Sequence, residues 1–353
     1  MSMMQMLLGA GGKAAGLNPQ DVFAAKKYTG STSTPLAVES GVDLAGKGGL
    51  VWLKSRTSSH GHAWIDSGTP AWKGWLESAG ESAQQVPTGQ YVTPQSDGFD
   101  IPSSGTFMND DSSTDYMSWA FRKAEGFFDV VTYEGNGSTQ TISHGLNCVP
   151  GMIIIKNKDE SGNWVVWHKG LANTTARWIP LQGTGAQEIS STVWNSTAPT
   201  KDEFTVGDYS AVNWDEKEFV AYLFADGDSS DGQVFGPSAD ESIIKMGSYT
   251  GTGSGSYRDL DFGWEPQWLL TKRKDDTGNW AIYDTERGMS GSADGSGNYF
   301  YWLAANYTSA EEGKTYIGPA PQSDGVHIYT GHNDHNGGSS REYIYVAIRK
   351  PIT

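Results

Sequence analysis

The stretch FFDVVTYEGNGSTQTISHGLNCVPGMIIIKNKDESGNWVVWH fills Phe127–His168, and much of it returns, altered, as SIIKMGSYTGTGSGSYRDLDFGWEPQWLLTKRKDDTGNWAIYD at Ser242–Asp284. Tyr133, Pro150, Lys156, Asn163, Trp164 and His168 recur 116 positions later as Tyr249, Pro266, Lys272, Asn279, Trp280 and Asp284, with no gap between them. Repetition at a fixed spacing points to one structural unit used more than once. A more diverged copy precedes both. It contains YTGSTSTP from Tyr28, GGLVWLKSR from Gly48 and AWIDS from Ala63, so that Gly49, Trp52 and Asp66 lie 102 positions before Gly151, Ile154 and His168.

The ends of the copies also agree. SDGF at Ser96 and YMSWAFRK at Tyr116 return 227 positions on as SDGV and YIYVAIRK, while FVAYLFAD from Phe219 closes the middle copy. These matches place units at 20–124, 126–226 and 242–353, with an N-terminal neck over 1–19 and an acidic linker over 227–241.

Within each unit the hydrophobic period is two, the mark of β-strands. In the closing strands one parity is large and apolar (Met117, Trp119, Phe121; Val220, Tyr222, Phe224; Ile344, Val346, Ile348), and this parity is read as the core face. The runs GLVWLK, GMIIIK and QWLLTK are apolar on both parities, as expected of a central strand covered on both sides. Short strands separated by Gly, Asn, Asp and Ser turns predict an all-β chain: three tandem β-sandwich repeats, jelly-roll-like, behind a short N-terminal anchoring segment. The short join RKAEGFFDVV implies that units one and two pack together. The longer join DGDSSDGQVFGPSADE allows more freedom, so the expected shape is a semi-rigid rod of three beads.

Bulk composition supports this reading. Among 353 residues, Gly numbers 45 and aromatics reach 12% with 14 Trp, which suits strands and tight turns better than helices. A formal charge of -16 argues against nucleic acid as a partner, because phosphate binding draws on Lys and Arg. The single Cys148 excludes an intrachain disulfide. No stretch has the roughly 18 apolar residues of a membrane-spanning helix, and the opening MSMMQMLLGAGG lacks the basic start of an export signal.

No catalytic constellation stands out, and neither a cofactor nor a metal is expected. The equivalent positions Asp66, His168 and Asp284 close the same strand in each copy, and an Asp-to-His exchange is incompatible with shared proton chemistry. They are read as groups that satisfy a turn. His332, Asp334 and His335 in GHNDHNGG have the residue types of metal ligands but equally suit a polar loop, and DGDSSDG lacks the terminal acid of a calcium loop. The aromatics Trp72, Trp75, Trp178, Trp194, Tyr299, Tyr301 and Trp302 occupy the variable middle of the repeats, where connecting loops carry recognition. Flat rings beside Asn, Asp and Gly suit sugar faces or protein interfaces, so these are the candidate ligand-binding residues, although they serve equally as sandwich filling.

The spelled-out segments MSMMQMLLGAGG, GVDLAGKGGLVWLKSR, FFDVVTYEGNGSTQTISHGL, PGMIIIK and YIYVAIRKP together resemble a family of virion structural proteins of marine tailed bacteriophages, including cyanophages, often labelled tail fibres. The resemblance covers essentially the whole chain and departs from the family pattern around TPAWKGWLESAGESAQQVPTGQ. It implies a non-enzymatic virion protein, assembled in the host cytoplasm, such as a tail fibre or tail-tip component with host-surface recognition. A capsid-decorating subunit is the alternative, and a glycan-degrading tailspike, which needs paired carboxylates in a groove, is further off. On this reading Met1, Met3, Met4, Met6, Leu7 and Leu8 form an adaptable apolar tip that anchors the chain to another virion protein. Host-surface glycan is the candidate ligand. Homo-oligomerisation, as a trimer, would shield exposed sheet edges.

Overall fold

The structure is a computed structural model that describes residues 16–102, 106–110, 112–228, 233–253, 257–289, 300–314, 318–329 and 332–352. It is all-β, and one topology appears three times. In the first unit an opening strand, Phe23–Thr29, pairs with the closing strand Asp115–Arg122. Next come the central strand Gly49–Ser55, a fourth strand Ala63–Asp66 and an outer strand Leu76–Glu77. The second unit repeats the order with Phe128–Glu134, Glu218–Ala225, Pro150–Asn157, Val165–His168 and Arg177–Pro180, adding Glu188–Ile189 at the rim. The third uses Ile244–Thr250, Glu342–Arg349, Pro266–Arg273, Trp280–Asp284 and Phe300–Ala304, adding Glu312–Lys314.

Each large sheet carries a small one. These are Leu36–Glu39, Gly98–Ile101 and Thr93–Gln95 in the first unit, Gln140–Ser143 and Glu203–Val206 in the second, and Tyr257–Asp261, Gly325–Tyr329 and Pro319–Gln322 in the third. Between the two sheets of the first unit lie Val38, Val51, Leu53, Ala63, Ile65, Phe99, Ile101 and Ala120. Between those of the third lie Leu260, Leu269, Ala281, Tyr283, Val326, Ile328 and Ala347.

The sandwich core therefore takes the parity opposite to the one read as the core face, Ala120 in the first unit and Tyr343, Tyr345 and Ala347 in the third. The parity read as the core face points the other way, into a core shared by all three units. Trp52, Trp64, Trp119 and Phe121 of the first unit, Met152, Ile154, Trp164, Tyr222 and Phe224 of the second, and Trp268, Leu270, Trp280, Ile344, Val346 and Ile348 of the third belong to one continuous buried cluster. Its rings touch across unit boundaries: Trp64 lies 5.2 Å from Trp164 and 5.0 Å from Tyr222, and Phe121 lies 5.6 Å from Phe224 and 6.0 Å from Trp268. Central strands apolar on both parities face a private core on one side and this common core on the other.

The rod of three beads is thus replaced by a closed ring. Burial of large aromatics outweighs the freedom a longer join would allow, since each such side chain gains roughly 1.5–3 kcal/mol on leaving water. The join between units two and three is itself tied down. Phe235 within it is buried and bridges to Leu17 and Glu241, and the Gly16 and Leu17 amides donate to Gly236 and Val234 carbonyls. The Asn18 side chain pairs with the backbone of Ile352 in both directions, at 2.8 and 3.1 Å. Gly16, the linker and Ile352 thereby gather at one pole of the ring, beside the starts of the opening strands. The turns that lead from opening or central strands lie at the other pole.

Candidate functional site: a polar seam and an exposed aromatic face

Three sets of equivalent polar contacts run round the ring in one direction. In the first set, the residue that closes the fourth strand serves its own turn with one atom and the next unit with another. Asp66 Oδ1 accepts from the Gly68 amide (2.8 Å) while Oδ2 accepts from the Tyr222 hydroxyl (2.7 Å). Asp284 Oδ1 accepts from the Arg287 amide (2.9 Å) while Oδ2 accepts from the Trp119 indole (3.0 Å). His168 Nδ1 accepts from the Gly170 amide (2.9 Å), and Nε2 lies 3.2 Å from the Tyr345 carbonyl.

The His-for-Asp exchange now has a chemical reason. Tyr222 and Trp119 offer hydrogens, so a carboxylate suits them, whereas the third unit has Val346 at their position and offers a carbonyl acceptor. A neutral imidazole with its hydrogen on Nε2 meets both demands. Burial pushes His168 down to about 3, which keeps it in that form, and burial raises Asp66 despite the Tyr222 hydrogen bond. The turn after this strand also abuts the next unit closely: a Cβ on Gly170 would fall 2.8 Å from the Gly247 carbonyl oxygen.

In the second set, the indole of Trp164 donates to the carbonyls of Glu77 (3.0 Å) and Gly80 (3.2 Å), and that of Trp280 donates to Pro180 (2.8 Å). Trp280 is the repeat of Trp164, and Pro180 holds the place of Glu77 on the outer strand. His62 stands at the equivalent position in the first unit, buried, with Nδ1 accepting from Trp52 (2.8 Å); burial drives its pKa well below the usual range. The third set is backbone to backbone. Gln84, Gln187 and Glu311 amides donate to the carbonyls of Lys158, Lys274 and Arg56, at 2.8, 2.9 and 2.8 Å.

The seam between units one and three joins parts of the chain most remote in sequence, and it adds a buried ionic chain. Arg287 donates to Asp284 (2.7 Å), lies 5.3 Å from the Trp119 ring centroid, and pairs with Glu311 (3.4 Å), which receives Arg56 at 2.6 and 3.0 Å.

At the end of each central strand a lysine is buried: Lys54, Lys156 and Lys272. Each ammonium donates to carbonyl oxygens, of Ser55, Asn157 and Arg273 at 2.6, 2.8 and 2.7 Å, and Lys272 also reaches Gly185 (2.8 Å) in the neighbouring unit. Burial lowers them to about 8, 8 and 7 respectively.

The aromatics expected to bind ligand do not form one site. Trp72 is buried in the first sandwich, in a cluster with Trp75, which lies 4.7 Å from Phe107. Trp178 and Trp194 are buried, the Trp194 indole donating to the Arg177 carbonyl at 2.9 Å. These three buried rings are taken up by packing. Trp302 is half-buried with its edge toward His332, and Tyr301 is exposed on the same strand. Tyr299 and the proposed anchor residues Met1, Met3, Met4, Met6, Leu7 and Leu8 lie outside the described residues.

Asp334 is engaged by Asn279, through the amide (2.7 Å) and side chain (3.1 Å), and the buried His335 sits 2.9 Å from the Tyr283 hydroxyl. Among the described residues no group of three His, Cys, Asp or Glu gathers as metal ligands. Asp226 and Asp228 of the acidic join pair with Lys169.

Sequence reasoning missed an exposed aromatic face on the small sheet of the third unit. Tyr257 is 47% exposed and stacks on His327, with centroids 4.5 Å apart and planes at 20°. His327 Nε2 lies 2.8 Å from Asp259, and its Nδ1 lies 3.4 Å from the Tyr329 hydroxyl. Strand pairing brings Tyr257 opposite Tyr329 and Asp259 opposite His327. The alternation YRDLD and VHIY was the available signal, but the two segments are remote in sequence.

Taken together, the architecture defines an all-β protein of three fused sandwiches closed into a quasi-three-fold ring. The chain belongs to the family described as Domain of unknown function (DUF7483), whose match runs over residues 18–351 and so covers the whole ring rather than one repeat. No curated protein matches the chain. No helix among the described residues is long and apolar enough to cross a membrane.

Proposed function

We propose that the chain is a non-enzymatic structural protein of a tailed-bacteriophage virion, a tail-fibre or tail-tip component attached through its N-terminal segment and taking part in host-surface recognition. The observation that carries this reading is the polarity of the ring. Gly16, the first described residue, meets the linker and Ile352 at one pole, while the exposed Trp214 and Tyr257 lie toward the opposite pole. The shared core makes the ring a stiff block suited to holding one end and presenting the other. The Asp and His positions that repeat between units hold the seams together, which fits a scaffold. The partners of this reading are other virion proteins, host glycan and sister copies of the chain, a trimer shielding the sheet edges on which the opening strands lie.

The test is quantitative mass spectrometry of purified particles, with and without residues 2–12. A few to a few dozen copies, lost on deletion of the segment, are expected. Absence from particles overturns the reading, and hundreds of copies make the protein a capsid-decorating subunit instead.

A further inference from the structure

We infer that the outward face of the small sheet in the third unit, built from Tyr257, Asp259, His327 and Tyr329, is a binding site for the pyranose rings of uncharged sugars. The inference rests on the host-recognition reading above and names the ligand class. Leu260, Val326 and Ile328 point from these strands into the sandwich core, so the intervening residues project outward. Tyr257 covers His327 with one face and leaves much of its surface to solvent. An exposed phenol ring held rigidly by a stacked neighbour presents the flat apolar surface that the axial C–H face of a pyranose requires.

Beside the ring stand groups that grip hydroxyls. Asp259, 64% exposed at its side chain, has a carboxylate oxygen held by His327 at 2.8 Å, and carboxylates accept hydrogen bonds from paired sugar hydroxyls. The Tyr329 hydroxyl is tied to the His327 ring from the other side. The relay fixes both polar groups relative to the tyrosine face, which reduces the ordering cost of a weak ligand. Charge sets the selectivity. Asp259, with Asp261 exposed on the same face, in a chain of formal charge -16, repels uronic acids and sialic acids and leaves uncharged hexoses. The first and second units have Ala37 and Glu39, and Thr141 and Ser143, on the corresponding first strands of their small sheets, so the site is peculiar to the third.

Saturation-transfer NMR on the full chain tests this with methyl glucosides, galactosides and mannosides, and with glucuronate and galacturonate as charged counterparts. Transfer to at least one uncharged probe is expected. It should weaken by about tenfold in Tyr257→Ala and clearly in Asp259→Asn, with uronates giving less signal than their uncharged partners. The exposed positions allow both variants to fold, which an unchanged melting temperature checks. No transfer from any uncharged probe, or transfer indifferent to Tyr257→Ala, overturns the site. Adsorption of the labelled chain to host cells separates the two claims. Adsorption that survives Tyr257→Ala refutes the sugar site and leaves host recognition standing, whereas a wild-type chain that does not adsorb counts against host recognition itself. Reduced incorporation of Tyr257→Ala into particles would mark the face as a protein contact and also overturn the inference.

Discussion

Acid should open the ring, and His168 should account for a measurable part of the effect. In the native state burial holds His168 near 3, whereas an unfolded histidine titrates near 6.5. Above pH 6.5 both states are neutral and the group contributes no pH dependence. Below it the unfolded chain takes up a proton that the native state refuses, so stability falls by about 1.4 kcal/mol per pH unit. By pH 4.5 His168 alone costs about 2.7 kcal/mol. His335, also lowered to about 3, costs a similar amount, and His62 acts in the same direction. A combined loss of about 5 kcal/mol is comparable to the whole stability of many domains. Asp66, raised by burial, opposes this only near the carboxylate range, where the native state gains its proton first.

The assay is denaturant unfolding from pH 7.5 to 4.5 for the wild type and His168→Asn. Asparagine keeps an acceptor for the Gly170 amide but gives up the contact to Tyr345, so at pH 7.5 the variant should be weaker by about 1–2 kcal/mol. By pH 4.5 that deficit should vanish or reverse, because the variant has no histidine to protonate. Parallel curves for the two proteins would refute the reasoning. So would an NMR titration in which the His168 ring protonates near pH 6.

Three further outcomes follow from the seams. Tyr222→Phe strips the buried Asp66 of its donor from the neighbouring unit and should cost about 1–3 kcal/mol, read as a lower denaturant midpoint; an unchanged midpoint would mean that the contact is idle. Lys272, lowered to about 7, should make stability rise with pH between about 7 and 10, since there the unfolded chain holds a proton the native chain has shed. Lys272→Met should flatten that rise in melts at pH 6.5, 8 and 9.5, and an undiminished slope would contradict it. Trp164→Ala should cost about 3–5 kcal/mol, and hydrogen exchange should show lost protection in the Leu76–Glu77 strand of unit one as well as in unit two; damage confined to unit two would argue for independent beads.

What could be read from sequence was whatever repeats along the chain. The shared spacing of Tyr133 with Tyr249 and Lys156 with Lys272 exposed the unit, and alternation in the closing strands exposed the sheets. The partner of each face was hidden. Trp119 and Tyr222 look like sandwich filling, yet they point into the seam because the opposite parity, with Ala120 and Ala221, leaves room for the second sheet. Trp164 donates to a backbone carbonyl in another unit, and backbone acceptors have no sequence signature. Asp66, His168 and Asp284 were legible as turn residues and illegible as links, because their second partners, Tyr222, Tyr345 and Trp119, lie in other units. Trp178 and Trp194, placed by their position in variable segments, are buried because Trp178 lies on a strand of the second large sheet and Trp194 packs beside it, its indole donating to the Arg177 carbonyl. The Tyr257–His327 face went unseen because two distant segments must pair before the rings meet.

Ring and rod differ most in overall dimension, and small-angle scattering from the monomer fraction, identified by its 38.1 kDa mass, separates the two. A single compact body of this length has a radius of gyration of about 20 Å, whereas three sandwiches in line give about 30 Å. The ring gives a value near 20 Å. A value near 30 Å, with the long tail in the distance distribution that a rod produces, would contradict it.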